Sequence, residues 1–88
     1  MKRNHDCVLR DVGGQALLVP VGAKVRDMNA LITLNATGRR VWELLAEDLT
    51  TEAVVAKITA EFDAEPGTVR TDVLGFLERL KQLGLLET

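Results

Sequence analysis

Two residues of the types that bind metals or act as nucleophiles stand close together in this sequence. His5 is its single histidine, and Cys7 is its single cysteine. Zinc sites use three or four protein ligands, so an isolated His-x-Cys pair is a weak metal signal. A single cysteine cannot form an internal disulfide, which is typical of proteins from a reducing compartment. We therefore expect His5 to be an ordinary solvated side chain and Cys7 a small strand residue.

The acidic residues do not indicate a catalytic pair. Glu47, Asp48 and Glu61 lie where helical periodicity places them on solvated surfaces. A general acid is usually tuned by an apolar pocket or a second carboxylate, and the sequence indicates neither. Gly13-Gly14 matches neither the dinucleotide nor the nucleoside triphosphate loop pattern. We therefore expect a binding protein that is not an enzyme and has no cofactor or metal site.

Length, composition and charge restrict the class of protein further. The 88 residues suffice for one domain, and 47% of them are hydrophobic, so a packed core is expected. The net charge of −2 disfavours a nucleic-acid partner, because such proteins usually carry a basic excess. No stretch has the roughly 18 apolar residues of a membrane span, and the start is unlike a secretion signal. We expect a cytoplasmic protein with a polar tail over residues 1–6 and one domain over residues 7–88.

The first third of the sequence predicts strands. Cys7–Val12 and residues 15–21 are rich in valine and leucine, and they flank Gly13-Gly14. Two glycines can both adopt the positive φ of a two-residue hairpin turn, so the two segments are predicted to pair. Residues 22–29 are predicted to be a connection, and residues 30–34 a third short strand.

The remainder predicts three helices, over residues 35–47, 50–62 and 66–83. Asn35 and Thr50 are favourable capping residues, Pro66 suits a first helical turn, and Gly84 suits the position after a helix. Beside its core-facing stripe, the third helix carries a second apolar line that consists of Leu74 and Leu77, flanked by Arg70 and Lys81. This line either widens the core-facing stripe or borders a groove that a partner fills.

One ordered set of motifs resembles a known family. The set consists of Leu34-Asn35-Ala36-Thr37-Gly38, Val41-Trp42-Glu43-Leu44-Leu45, Thr50 with Glu52, Phe62, Asp72-Val73, Phe76-Leu77, Leu80 and Gly84-Leu85-Leu86. In this order and spacing it is similar to the PqqD-like proteins. These are pyrroloquinoline quinone synthesis protein D and the wider group of recognition elements for ribosomally made, modified peptides. The resemblance covers about residues 17–86 of the chain. The pyrroloquinoline quinone branch has a Pro-Glu-Gly step that residues 29–33 lack, and Ser-Ala where Thr37-Gly38 stand.

The resemblance implies a fold and a function. The implied fold is α+β and winged helix-turn-helix-like, a three-stranded antiparallel sheet packed on three helices. The implied function is that of a peptide chaperone, which binds the leader of a precursor peptide and presents it to a modifying enzyme, often a radical S-adenosylmethionine enzyme. The leader adds as a strand beside the third strand and lies against the third helix. The corresponding positions are Leu31, Ile32, Thr33 and Leu34 on the strand, with Arg70, Leu74, Leu77 and Lys81 on the helix.

Two other functions are compatible with the same sequence. A winged helix can instead bind DNA or regulate transcription. Against this, the third helix mixes Arg70, Arg79 and Lys81 with acidic Asp72 and Glu78, and it has no cluster of Asn or Gln to contact bases. The other alternative is a structural dimerisation module, in which an identical chain occupies a free strand edge and a homodimer forms.

Overall fold

The computed structural model describes residues 1–28 and 31–87, whose strands lie mainly in the first third of the chain and whose helices follow. The elements, in chain order, are β1 (Lys2–Arg3), β2 (Cys7–Val12), β3 (Gln15–Pro20), α1 (Lys24–Asp27), β4 (Ile32–Leu34), α2 (Ala36–Leu44), α3 (Thr51–Phe62), α4 (Pro66–Gln82) and β5 (Leu86–Glu87).

The main sheet has the order β2-β3-β4, and both neighbouring pairs are antiparallel. The predicted hairpin is confirmed: Val12 is opposite Gln15, and the two turn glycines have φ of 58° and 82°. Glycine adopts two such angles in succession without the steric cost of a Cβ atom, so the turn favours this register of the sheet. The third strand is also confirmed over residues 32–34, whereas residue 30 of the predicted strand lies outside the described residues.

Each of the three long helices begins where the sequence predicted. The Asn35 side chain accepts a hydrogen bond from the Gly38 amide at 2.7 Å, and Thr50 accepts one from the Ala53 amide at 3.1 Å. Helix α2 is shorter than predicted, because it ends at Leu44 and not near Glu47. The predicted connection before β4 contains the short helix α1, so the described part of the chain has four helices.

The core lies between the inner face of the sheet and the three long helices. Side chains from every layer are completely buried there, among them Leu18, Trp42, Leu45, Ile58, Leu80 and Leu85. Phe62 lies in the last turn of α3 and is 41% exposed. The expected α+β class with a three-stranded sheet is confirmed. No helix in the described ranges combines the length and hydropathy that crossing a bilayer requires.

The prediction of a polar tail over residues 1–6 is wrong for its first four residues. Strand β1 pairs with β5, and the amides of Arg3 and Asn4 donate to the carbonyls of Leu45 and Leu85 at 2.8 and 2.9 Å. The Arg3 guanidinium donates to the Trp42 carbonyl at 2.9 Å and lies 5.3 Å from the centre of the Trp42 ring. Backbone pairing holds this polar segment in place, and backbone pairing leaves no hydrophobic pattern in a sequence.

The N-terminus of α4 makes the stability of the fold sensitive to pH. The Glu65 carboxylate accepts hydrogen bonds from the amides of Gly67 and Thr68 at 2.9 and 2.7 Å. These bonds lower the pKa of Glu65 from its ordinary value. Because the folded-state pKa is lowered, this stabilisation is present above the ordinary pKa of about 4.3 and is lost as the pH falls through the folded value.

We expect Glu65→Gln to reduce the loss of stability on acidification. The wild-type chain should lose more unfolding free energy between about pH 7 and about pH 3 than Glu65→Gln does, because only the wild type then protonates a capping carboxylate. Urea denaturation followed by circular dichroism at several pH values measures this difference. Glu47→Gln, at an exposed position outside any helix, is the control. Equal pH dependence of the wild type and Glu65→Gln would contradict the expectation.

Candidate functional site

Strand β4 has one free edge among the described residues, because it pairs with β3 alone. In a two-residue hairpin the residues that flank the turn form a hydrogen-bonded pair, here Val12 and Gln15. Pairs alternate along antiparallel strands, so Leu17 directs its backbone groups towards β2, and Ala16 and Leu18 direct theirs towards β4. The residue opposite Leu17 is Thr33. It follows that the N–H and C=O of Thr33 point away from β3, towards the free edge.

The side chains of this segment alternate as a half-buried strand requires. Ile32 and Leu34 are 4% and 7% exposed and belong to the core, whereas Leu31 is 52% exposed and Thr33 is also exposed. A strand added to the free edge would continue both faces. Half of its side chains would lie on the side of Ile32 and Leu34, and the other half beside Leu31 and Thr33.

A groove runs along this edge, between β4 and α4. It consists of two adjoining cavities of about 380 Å³ each. The first is lined by Asp27, Met28, Leu31, Ile32, Arg79, Gln82 and Leu83, and the second by Thr33, Leu34, Asn35, Gly38, Phe76 and Arg79. Arg79 lines both cavities and therefore lies at the middle of the groove. We refer to these two cavities together as the β4 groove.

The structure brings the four predicted strand residues to this groove but not the predicted helix residues. Leu77 is 6% exposed and belongs to the core. For this residue, the second apolar line of the helix widens the core-facing stripe. Leu74 is 44% exposed, but it lies two positions from Phe76, and side chains two positions apart on an α-helix point about 200° apart. Arg70 forms an ion pair with Glu52 on α3. Arg70, Leu74 and Lys81 are therefore not among the residues that line the β4 groove, and their contact with a bound peptide stays a prediction.

The residues of α4 that line the groove are Phe76, Arg79 and Gln82, and Leu83 lines it at the C-terminal cap of the helix. Of these four residues, Phe76, Arg79 and Leu83 follow one line along the helix. They are spaced i, i+3 and i+7 and so share one face of α4. Phe76 and Leu83 are half-buried and also pack on the core, and the prediction of the site from sequence did not include them. The available signal was the basic Arg79 between these two apolar residues at helical spacing. A core-facing line normally has no charge in its middle.

Charged side chains follow the groove in the order negative, positive, negative. Arg79 is exposed at its centre, Asp27 lies at the end near Leu31, and Asp72 lines a further cavity with Phe76 at the other end. Other arginines are paired: the Arg39 guanidinium donates to the Asp11 carboxylate at 2.5 and 2.8 Å, and Arg40 donates to Glu61 at 2.6 and 3.2 Å. The Arg40 contact lowers the pKa of Glu61. Within residues 1–28 and 31–87, Arg79 has no carboxylate within 4.0 Å.

Cys7 and His5 have the surroundings of ordinary residues. The Cys7 thiol is buried 3.6 Å from the Met28 sulfur, and burial raises its pKa, so the reactive thiolate is disfavoured. His5 is exposed. No group of three or more His, Cys, Asp or Glu side chains that could hold a metal ion occurs in the part of the chain that the structure describes. The β4 groove is thus the feature in which an open backbone edge, apolar side chains and an unpaired charge meet.

Known proteins resemble this chain in sequence and in fold. The model of the family described as Coenzyme PQQ synthesis protein D (PqqD) matches residues 7–86. A search of curated proteins finds no match. Among solved structures, TbiB1 in complex with the TbiA(beta) leader peptide is similar to this chain, with 30% sequence identity and a TM-score of 0.73. The similarity covers 99% of this chain and 95% of that chain.

The family match spans nearly all of the chain, and the solved structure shares its fold over nearly its full length. Both confirm the resemblance carried by the motifs between Leu34 and Leu86. The chain belongs to the PqqD family.

Proposed function

We propose that this chain is a recognition element that binds the leader segment of a ribosomally made precursor peptide by β-strand addition at β4. The observation that carries the proposal is the free edge of β4 beside the apolar β4 groove. Strand addition draws affinity from backbone hydrogen bonds and selectivity from pockets for alternate side chains, and this site offers both. The similarity to TbiB1, whose solved structure contains a leader peptide, supports the same assignment.

The chain would present the bound peptide to a separate modifying enzyme and perform no chemistry itself. The buried Cys7 thiol and the dispersed carboxylates support a role in binding only. The family resemblance suggests that a radical S-adenosylmethionine enzyme or another peptide-modifying enzyme is the partner. Assembly with that enzyme in the cytoplasm, where leader and enzyme are made, is part of the proposal.

The backbone of Thr33 gives a direct test of strand addition. Thr33→Pro removes an N–H that faces the free edge, where proline is tolerated, and it leaves the hydrogen bonds to β3 in place. A net backbone hydrogen bond contributes about 0.5–1.5 kcal/mol, and the proline ring also hinders the close approach of a strand, so we expect at least about tenfold weaker binding. Titration of peptides that the wild-type chain selects from a displayed random library measures the effect.

Thr33→Ala is the matched control, because it changes the side chain and keeps the N–H. Its affinity should stay near that of the wild type, and the Thr33 amide of the wild type should become protected from hydrogen exchange when peptide binds. A folded Thr33→Pro chain with wild-type affinity would refute β-strand addition at this edge. Sedimentation at several concentrations shows whether a second copy of the chain occupies the edge instead.

The side of α4 that the peptide contacts can be tested with one substitution at two positions. Leu31→Asp and Leu74→Asp each place a carboxylate at a similarly exposed leucine, but Leu31 lines the groove and Leu74 lies on the other side of α4. We expect Leu31→Asp to weaken binding at least about tenfold, because bound peptide would desolvate the charge. Leu74→Asp should bind normally. The reverse result, in chains that circular dichroism shows to be folded, would favour the helix line predicted from sequence.

Binding to DNA is the alternative that the winged-helix architecture raises. The exposed residues near the C-terminal half of α4 include Glu78 as well as Arg79 and Lys81, so this surface has mixed charge and is not a continuous basic patch. With a net charge of −2, the whole chain also repels phosphate weakly. We expect no sequence-selective duplex binding at about 150 mM salt. A complex of sub-micromolar affinity in a mobility-shift assay with random duplex DNA would instead support the regulatory function.

A further inference from the structure

The β4 groove has a fixed order of chemical groups along its length. At one end Leu31 and Leu83 form an apolar surface, Arg79 lies in the middle, and Leu34 and Phe76 form an apolar surface at the other end. The strand and the helix therefore run in opposite directions along the groove. Any peptide that pairs with β4 passes these three places in turn.

The spacing of the three places matches an extended peptide. On α4, Leu83 and Arg79 are four residues apart and Arg79 and Phe76 are three, which correspond to about 6 Å and about 4.5 Å along the helix axis. In a strand, side chains on one face recur every second residue, at about 6.6 Å. Three consecutive side chains on the inner face of an added strand can therefore reach Leu83, Arg79 and Phe76 in order.

The charge at the middle place determines what fits there. Bound peptide would remove water from around Arg79, and no described carboxylate lies within 4.0 Å of it. Desolvating an uncompensated guanidinium is unfavourable, whereas a guanidinium paired with a carboxylate forms strong, often bidentate hydrogen bonds. An acidic side chain on the peptide would supply the missing partner. Asp27 and Asp72, beyond the two apolar places, disfavour further acidic residues at the ends of the bound segment.

We propose that the β4 groove selects peptide segments of the form apolar-x-acidic-x-apolar, and that Arg79 is the residue that specifies the central acid. The proposal rests on the proposed function and adds to it the chemical class of the leader. The pattern reads the same in both directions, so it holds for a peptide added parallel or antiparallel to β4.

Selection from a displayed library of random peptides of about twelve residues tests the pattern, because a segment of five fits within that length. The wild-type chain should enrich peptides with Asp or Glu midway between two apolar residues. Arg79→Glu should lose this preference and enrich Lys or Arg at the central position. Lys81→Glu, with the same change of charge on an exposed residue two positions away, should keep the wild-type preference.

A double-mutant cycle then measures the contact itself. One selected peptide is titrated with its central Glu and with Gln in that place, against the wild type and against Arg79→Gln. Each single change should weaken binding about tenfold, and the second change should add little once the first has been made. Circular dichroism confirms that each variant is folded.

Each outcome bears on a separate statement. Peptides enriched for an apolar-x-x-x-apolar pattern without a central acid, or independent effects of the two changes in the cycle, would overturn the role of Arg79 and leave strand addition intact. Failure to enrich any peptide, or enriched peptides that Thr33→Pro binds normally, would overturn the proposed function together with the inference.

Discussion

A single residue, Asn35, separates β4 from α2, and the position of the candidate site depends on the close packing at this junction. The Asn35 side chain accepts a hydrogen bond from the Gly38 amide at 2.7 Å and begins the helix immediately after the strand. A Cβ atom added at Gly38 would lie 3.2 Å from the Asn35 side-chain oxygen and 3.5 Å from the Phe76 ring. A side chain at position 38 would therefore crowd the capping oxygen of Asn35, and the glycine leaves this cap undisturbed where α2 faces Phe76 of α4.

The features predicted correctly from sequence are those with a local physical cause. Two glycines specify the hairpin turn, Asn35 and Thr50 provide side-chain acceptors at helix starts, and Pro66 and Gly84 mark the ends of α4. Each signal acts within a few residues, so the sequence contains it directly. The strand that borders the β4 groove follows from the same kind of local pattern, because buried and exposed residues alternate over residues 31–34.

The features that the sequence alone could not place depend on which elements become neighbours. Helical periodicity separates the faces of α4, but it does not tell which face meets β4 and which meets α3. The line with Leu74 and the line with Phe76 both flank the buried residues Val73, Leu77 and Leu80, and only the path of the chain distinguishes them. The pairing of β1 with β5 is also not specified by local sequence. It joins residues 2–3 to residues 86–87 through backbone groups that every residue type except proline possesses in full.

The β1–β5 ribbon brings the two extremities of the described chain together. Lys2 is opposite Glu87, and neighbouring strands lie about 4.8 Å apart. A polypeptide that enters the domain at Lys2 and leaves it at Glu87 therefore enters and leaves at one point on its surface. Domains with adjacent ends can be inserted into a loop of another protein without stretching either connection. The same binding unit is thus suited both to a free-standing existence and to incorporation as an insert in a larger enzyme.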